Sequence, residues 1–192
     1  MNVFSDIIRA MYPVSDESIG KLWAHAEIIT LQKGEFLIKD GTVNRNLYLI
    51  KSGLLRSFHL EGDREDTLWF ATDGDAVASM HSIFAKSPAI ADIIALTETT
   101  LFQIPWTTLE TLYEQCHDLA NWGRRIAEEE LYCLERRYRI LGTGDAYSRF
   151  RAFMNLRPNS FIREIPLKDI ASYLGMTPQT LSKLRARYAA EK

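Results

Sequence analysis

A change of period near residue 107 constrains the fold most. Before it, short runs rich in β-formers (Glu35–Ile38, Asn46–Ile50 and Leu54–Leu60) are separated by Gly34, Gly41, Gly53 and Gly62 at intervals of 7 to 12 residues. Glycine supplies the backbone angles that tight turns need, so this spacing predicts strands joined by turns, the rhythm of a β-sandwich or barrel. Further strands are predicted at Asp66–Ala71 and Ile93–Ile104, with a Gly74–Asp75 turn and a Ser87–Pro88 corner between them. Ahead of the strands, residues 1–26 read as a short helical start, with Ser15 or Asp16 as an N-cap before Ile19, Leu22 and Trp23. After Thr107 the pattern turns helical, and a proline-free helix is predicted from near Asp118 to Leu141.

That helix carries two apolar seams. Ala127, Leu131, Leu134, Tyr138 and Leu141 alternate steps of four and three, the a/d spacing of a coiled coil, while Leu119, Ile126, Cys133 and Ile140 repeat every seven residues on a neighbouring face. Two seams need two partners. One can pack on the β-domain of the same chain and the other on the same helix of a second copy, which predicts a homodimer; the alternative is a helix buried wholly within one subunit.

The densest local signal lies at Pro166–Arg185. Leu167, Ile170, Ala171 and Leu174 form one apolar helix face, Pro166 can open that helix, and Gly175 can close it in the left-handed conformation. Thr177 then N-caps a second helix with Pro178 at its first position, and Leu181, Leu184 and Tyr188 continue the buried face. The pattern is a helix-turn-helix, with the small Ala171 where the helices must cross closely. Its outward face offers Gln179, Thr180, Lys183 and Arg187, with Thr177 at the tip, residue types that read base edges in a major groove. Lys168 and Arg185 are candidate phosphate contacts. The same motif also occurs as a plain helical corner.

Charge supports the DNA reading. Cut at Gly142–Thr143–Gly144, residues 1–144 carry 14 Lys and Arg against 21 Asp and Glu, a net of −7, while residues 145–192 carry 9 against 4, a net of +5. A small basic module behind an acidic one suits phosphate attraction confined to one part of the chain, although a charge fluctuation of this size also occurs by chance. With 46% apolar and 25% charged residues, the 192-residue chain is an ordinary globular protein of one large or two small domains. No apolar run is long enough to cross a membrane, and Asp6 and Arg9 interrupt any secretion signal, so the chain reads as cytoplasmic. Cys116 and Cys133 form no CxxC pair and lie near no histidine at ligand spacing, so no metal, cluster or other cofactor is expected. No P-loop, GxSxG or HExxH is present, which argues against an enzyme.

Taken together, Lys33–Gly41 followed by Leu47–Gly53, the long helix before the glycine pair, and the C-terminal helix-turn-helix resemble the Crp/Fnr superfamily of bacterial transcription regulators over nearly the whole chain. The resemblance implies an α+β protein: a cyclic-nucleotide-binding-like β-roll (a double-stranded β-helix, jelly-roll-like) at residues 1–115, a dimerisation helix and hinge at 116–144, and a DNA-binding domain at 145–192. It further implies double-stranded DNA as partner and regulation by shifting the two recognition helices, with the Gly142–Gly144 hinge absorbing the change.

Departures from the family pattern limit what transfers. Members that bind cyclic AMP carry a Gly-Glu pair for the ribose and an Arg-Ser pair for the phosphate; here Ala78-Ser79 and Ala89-Ile90 stand at those places. Without the arginine a buried phosphate would stay unpaired, so neither cyclic AMP nor cyclic GMP is expected to bind. Ser79, Met80, His81 and Ser82 line the old pocket, which holds either an unknown small effector or nothing but its own side chains. The family's oxygen sensors use N-terminal cysteines and its haem sensors axial His or Cys; His25, His59, His81 and His117 are scattered and no such set is present. Pro178 occupies a place where well-known members use a base-reading arginine, so the half-site should differ. The sequence ends directly after the recognition helix, and the expectation is a domain without a downstream β-hairpin wing. The rival reading is a regulatory or scaffold protein whose β-roll binds a protein partner or small ligand.

Overall fold

The computed structural model describes residues 2–142, 144–155 and 159–191, with backbone alone at 159–161. Two helices open the chain, α1 (Asn2–Met11) and α2 (Asp16–Trp23). Eight strands follow: β1 (Glu27–Leu31), β2 (Phe36–Ile38), β3 (Asn46–Ser52), β4 (Leu54–Glu61), β5 (Arg64–Thr72), β6 (Ala76–Ala78), then after the short α3 (Met80–Ile83), β7 (Asp92–Ala95) and β8 (Thr99–Pro105). Helices complete it: α4 (Trp106–Gln115), α5 (His117–Leu141), α6 (Ala146–Met154), α7 (Asn159–Glu164), α8 (Leu167–Tyr173) and α9 (Pro178–Ala190). Ser15 is the cap of α2, its hydroxyl accepting the Ser18 amide at 3.2 Å.

The strands form two four-stranded sheets in the orders β1-β8-β3-β6 and β2-β7-β4-β5. Pairings β1·β8, β3·β8, β3·β6 and β2·β7 are all antiparallel. Strand β3 is buried from Leu47 through Ile50 because both of its faces are covered. Leu47 and Leu49 pack against Phe4, Ile8, Leu109, Leu112, Leu119 and Trp122 of the flanking helices, and alternation turns Tyr48 and Ile50 to the other face. The predicted continuous strand Ile93–Ile104 is in fact two: the chain leaves the sheet at residues 96–98, where the Leu96 amide bonds the Leu54 carbonyl at 2.8 Å and Thr99 Oγ1 turns back to the Thr97 carbonyl at 3.0 Å. Glycine is required at position 53, where φ is +118° and a Cβ would come within 2.5 Å of Thr99 Oγ1.

The chain divides into two compact units, residues 1–57 with 70–130, and residues 58–69 with 131–192. The first is the β-roll with α1–α4 and the N-terminal half of α5. The second holds the rest of α5, the C-terminal helices and the tip of the β4–β5 hairpin around a core of Phe150, Phe153, Ile165, Ile170, Leu174 and Leu181. Of the glycine pair, Gly142 ends α5 by donating to the Tyr138 carbonyl at 2.9 Å, and Thr143 lies outside the described residues.

Candidate nucleic-acid interface

Helix α8 begins behind Pro166 without a side-chain cap and buries Ile170, Ala171 and Leu174. Its end is a two-bond C-cap: the Met176 amide donates to the Ala171 carbonyl and the Gly175 amide to the Ser172 carbonyl, both at 3.0 Å, with Gly175 at φ +61°. Thr177 then caps α9, its Oγ1 accepting the Thr180 amide at 3.2 Å and lying 3.0 Å from Thr180 Oγ1. Both threonine hydroxyls are thereby used within the turn. Leu181 is fully buried beneath α9, Tyr188 packs edge-on against Phe150 of α6 at 5.6 Å, and Arg149 Nε donates to the Leu174 carbonyl at 3.2 Å.

With α9 seated this way, Gln179 and Lys183 project into solvent one turn apart, and Lys168 and Arg185 are exposed as well. Ser182 shares the exposed face between Gln179 and Lys183, a position the sequence reading passed over although it lies three residues from Gln179. Thr180 is half-buried. Arg187 is exposed but engaged: its guanidinium stacks 3.9 Å from the Tyr147 ring centroid, and Nε donates to Glu191 Oε1 at 2.9 Å. The Tyr147 hydroxyl donates to the other oxygen of the same carboxylate. Hydrogen bonding to Glu191 raises the Arg187 pKa further above its ordinary value.

On α5 the two seams part company. Leu119 and Ile140 are buried and Ile126 and Cys133 half-buried, whereas Ala127 is exposed and Leu131 (68%), Leu134 (43%), Tyr138 (77%) and Leu141 (39%) keep much of their surface in solvent. Full burial of an exposed leucine is worth about 1.5–3 kcal/mol, and these side chains have only the share that corresponds to their remaining exposure still to gain.

In the roll, Ala78 ends β6 and Ser79 caps α3, accepting the Ser82 amide at 3.3 Å. The polar groups there satisfy one another. Ser79 Oγ donates to Ser82 Oγ at 3.2 Å, Ser82 Oγ accepts the Asn44 amide at 3.1 Å, and Asn44 and Asn46 both donate to the Tyr48 hydroxyl, at 2.9 and 3.3 Å. Met80 and His81 are exposed, with His81 Nδ1 3.4 Å from Ser87 Oγ. Ala89 is buried, its amide and carbonyl paired with the Thr42 carbonyl and the Gly41 amide at 2.8 and 2.9 Å, while Ile90 faces solvent. The only Lys or Arg between Ala78 and Asp92 is Lys86, which is exposed. Arg56, the guanidinium buried in β4, already has a partner within the protein.

A family model described as a cyclic nucleotide-binding domain matches residues 28–116. The fumarate and nitrate reduction regulatory protein of Yersinia pestis is 29% identical over 170 residues, covering 82% of this chain and 67% of its own. The protein of the same name from Escherichia coli K12 is 28% identical with the same coverage. Among solved structures, FixK2 from Bradyrhizobium japonicum aligns with a TM-score of 0.75 at 20% identity, covering 86% of this chain and 85% of its own. The c-di-GMP-responsive regulator CLP of Xanthomonas campestris aligns at 0.72 and 17%, covering 92% and 93%. The structural likeness is one of fold: a β-roll, a long helix and a helix-turn-helix.

Proposed function

Because the chain belongs to the Crp/Fnr superfamily of transcription regulators, we propose that this DNA-binding regulator works as a homodimer, paired through α5, that reads a twofold-symmetric site with α9. The observation that carries the reading is the face of α9, where Gln179, Ser182 and Lys183 stand exposed over a buried Leu181. Gln179 reads adenine, Lys183 reaches guanine, and Lys168 and Arg185 contact phosphates. Thr177 and Thr180 shape the turn and offer methyl groups rather than hydroxyls to the DNA. In this division of labour residues 1–115 are a sensor-like roll, 116–144 the dimer element and 145–192 the reader. The molecule acts in the cytoplasm, where its DNA is. Its relatives are regulators rather than enzymes, and nothing in fold or relatives favours a scaffold role.

Neither cyclic AMP nor cyclic GMP takes part. Support comes from Ala89 and Ile90, which offer no cation to a phosphate, and from the Asn44–Tyr48–Ser79–Ser82 network, whose polar atoms already pair with one another. The pocket is better described as self-filled than as waiting for an effector. Selection of bound sequences from random duplex DNA, with and without millimolar cyclic AMP, tests both points. The expected result is an enriched palindrome that is the same in both arms. Retention without enrichment would remove the sequence-reading proposal, and enrichment only with nucleotide would remove the self-filled pocket.

A further inference from the structure

In the C-terminal unit, the tip of the β4–β5 hairpin, the C-terminal half of α5 and the helix-turn-helix meet at one hub. Ser172 of α8 bonds the hairpin backbone twice: its hydroxyl donates to the Glu65 carbonyl at 2.7 Å and accepts the Thr67 amide at 2.8 Å. Residues two apart on a strand turn these groups to the same edge, so one hydroxyl stands in for part of a neighbouring strand. The Thr67 carbonyl accepts from Arg137 Nη2 of α5 at 2.8 Å, and the same guanidinium lies 4.8 Å from the centroid of the Tyr173 ring. Tyr173 in turn packs on Phe153 of α6 at 5.5 Å. Thr67 is almost wholly buried, which shields these bonds from exchange with water. Arg137 Nη1 is buried with no hydrogen-bond partner among the described residues, a cost tolerated where other groups fix the placement of the guanidinium.

We infer that Ser172 and Arg137 are positioning residues that set the angle between α9 and the dimer seam of α5, and with it the half-site spacing the regulator accepts; this rests on the DNA-reading proposal above. The seam residues Leu131–Leu141 and the reading helix lie in one compact unit, so in a symmetric dimer the separation of the two reading helices follows from the arrangement inside that unit. Gly142 and Gly144 stand between α5 and α6, and glycine restricts the backbone least of all residues. The hub adds side-chain bonds that tie α5 and α8 to the same hairpin. Adding one base pair between half-sites moves them apart by about 3.4 Å and turns one against the other by about 35°, so a fixed unit rejects the change and a loosened one tolerates it.

The test measures binding of the full chain to the selected operator and to versions with one base pair added or removed at its centre. Wild type should prefer its own spacing by about tenfold or more. Ser172→Ala should reduce that preference to within about threefold while leaving base preference inside each half-site unchanged, and Ser172→Thr, which keeps a hydroxyl, should restore it. Amide hydrogen exchange at Thr67 should rise in Ser172→Ala and fall back in Ser172→Thr. A folded Ser172→Ala protein that keeps its spacing preference, or keeps Thr67 protected, overturns the inference. If wild type selects no symmetric site, the inference falls with the DNA reading, and a rise in Thr67 exchange would assign the failure to the reading rather than to the hub.

Discussion

Lys183 and Arg187 are exposed cations one turn apart on α9, yet their surroundings differ. Lys183 has no ion pair or hydrogen bond among those described, whereas Arg187 is held by Tyr147 and Glu191. Lys183→Ala should therefore weaken operator binding by about 1–3 kcal/mol and relax preference at one base pair, while Arg187→Ala should cost less than about threefold. Competition binding against single-base operator variants reads both. Asp118, at the start of α5, accepts the Ser15 amide at 2.9 Å, the Ser18 hydroxyl at 2.7 Å and the Leu119 amide at 2.9 Å. Burial pushes its carboxyl up, but the bonds from Ser15, Ser18 and Leu119 outweigh that and bring it to about 2. A carboxyl lowered by folding stabilises the fold above its unfolded pKa and loses that contribution as pH falls through its folded value. Asp118→Asn should cost about 1 kcal/mol at neutral pH after allowance for solvent screening, and the difference should vanish as pH falls from about 4 to about 2. Denaturant midpoints of the two proteins across that range are the check.

Among elements, α5 divides its work between its two faces. Its seven-residue seam is at least half-buried, and its four-three seam is open to solvent. Leu134→Glu places a charge in the open seam and should leave a folded chain that sediments as a monomer at micromolar concentration, with operator binding reduced about a hundredfold through loss of the second half-site. The helix-turn-helix was legible in the sequence because its signals are local and adjacent: Pro166, Gly175, Thr177 and Pro178 each fix one backbone decision. Strands β2 to β5 were legible for the same reason, through glycine turns, whereas β1 and β6 were not. The break between β7 and β8 was not, since Leu96-Thr97-Glu98 contains no residue that stops a strand and the chain is turned there by bonds to β4 and within the loop. Nor was the hub. Ser172 and Thr67 lie 105 positions apart, and a serine near the end of a helix carries no mark of the backbone it will meet. Arg187 shows the limit in part: Glu191 stands four residues on and can be paired with it from the sequence, whereas only the fold brings Tyr147 against its guanidinium.

For the whole molecule, a roll whose inner polar groups are paired with each other fits the proposal above, in which assembly is the step open to control. The fold matches that of the solved regulators, and in the roll hydroxyls and amides are bonded among themselves. If the uncovered strip of α5 pairs two copies as proposed, it has a consequence in gene dosage. While the protein is scarce enough to be mostly monomeric, the amount of dimer grows as the square of the number of copies, and occupancy of a two-sided operator grows with it. Doubling synthesis would raise occupancy about fourfold in that range and only about twofold once pairing is complete, with the operator still unsaturated. A chain that pairs in this way would act as a counter of its own copies, and small changes in the strength of its promoter would be felt at its targets more steeply than they were made.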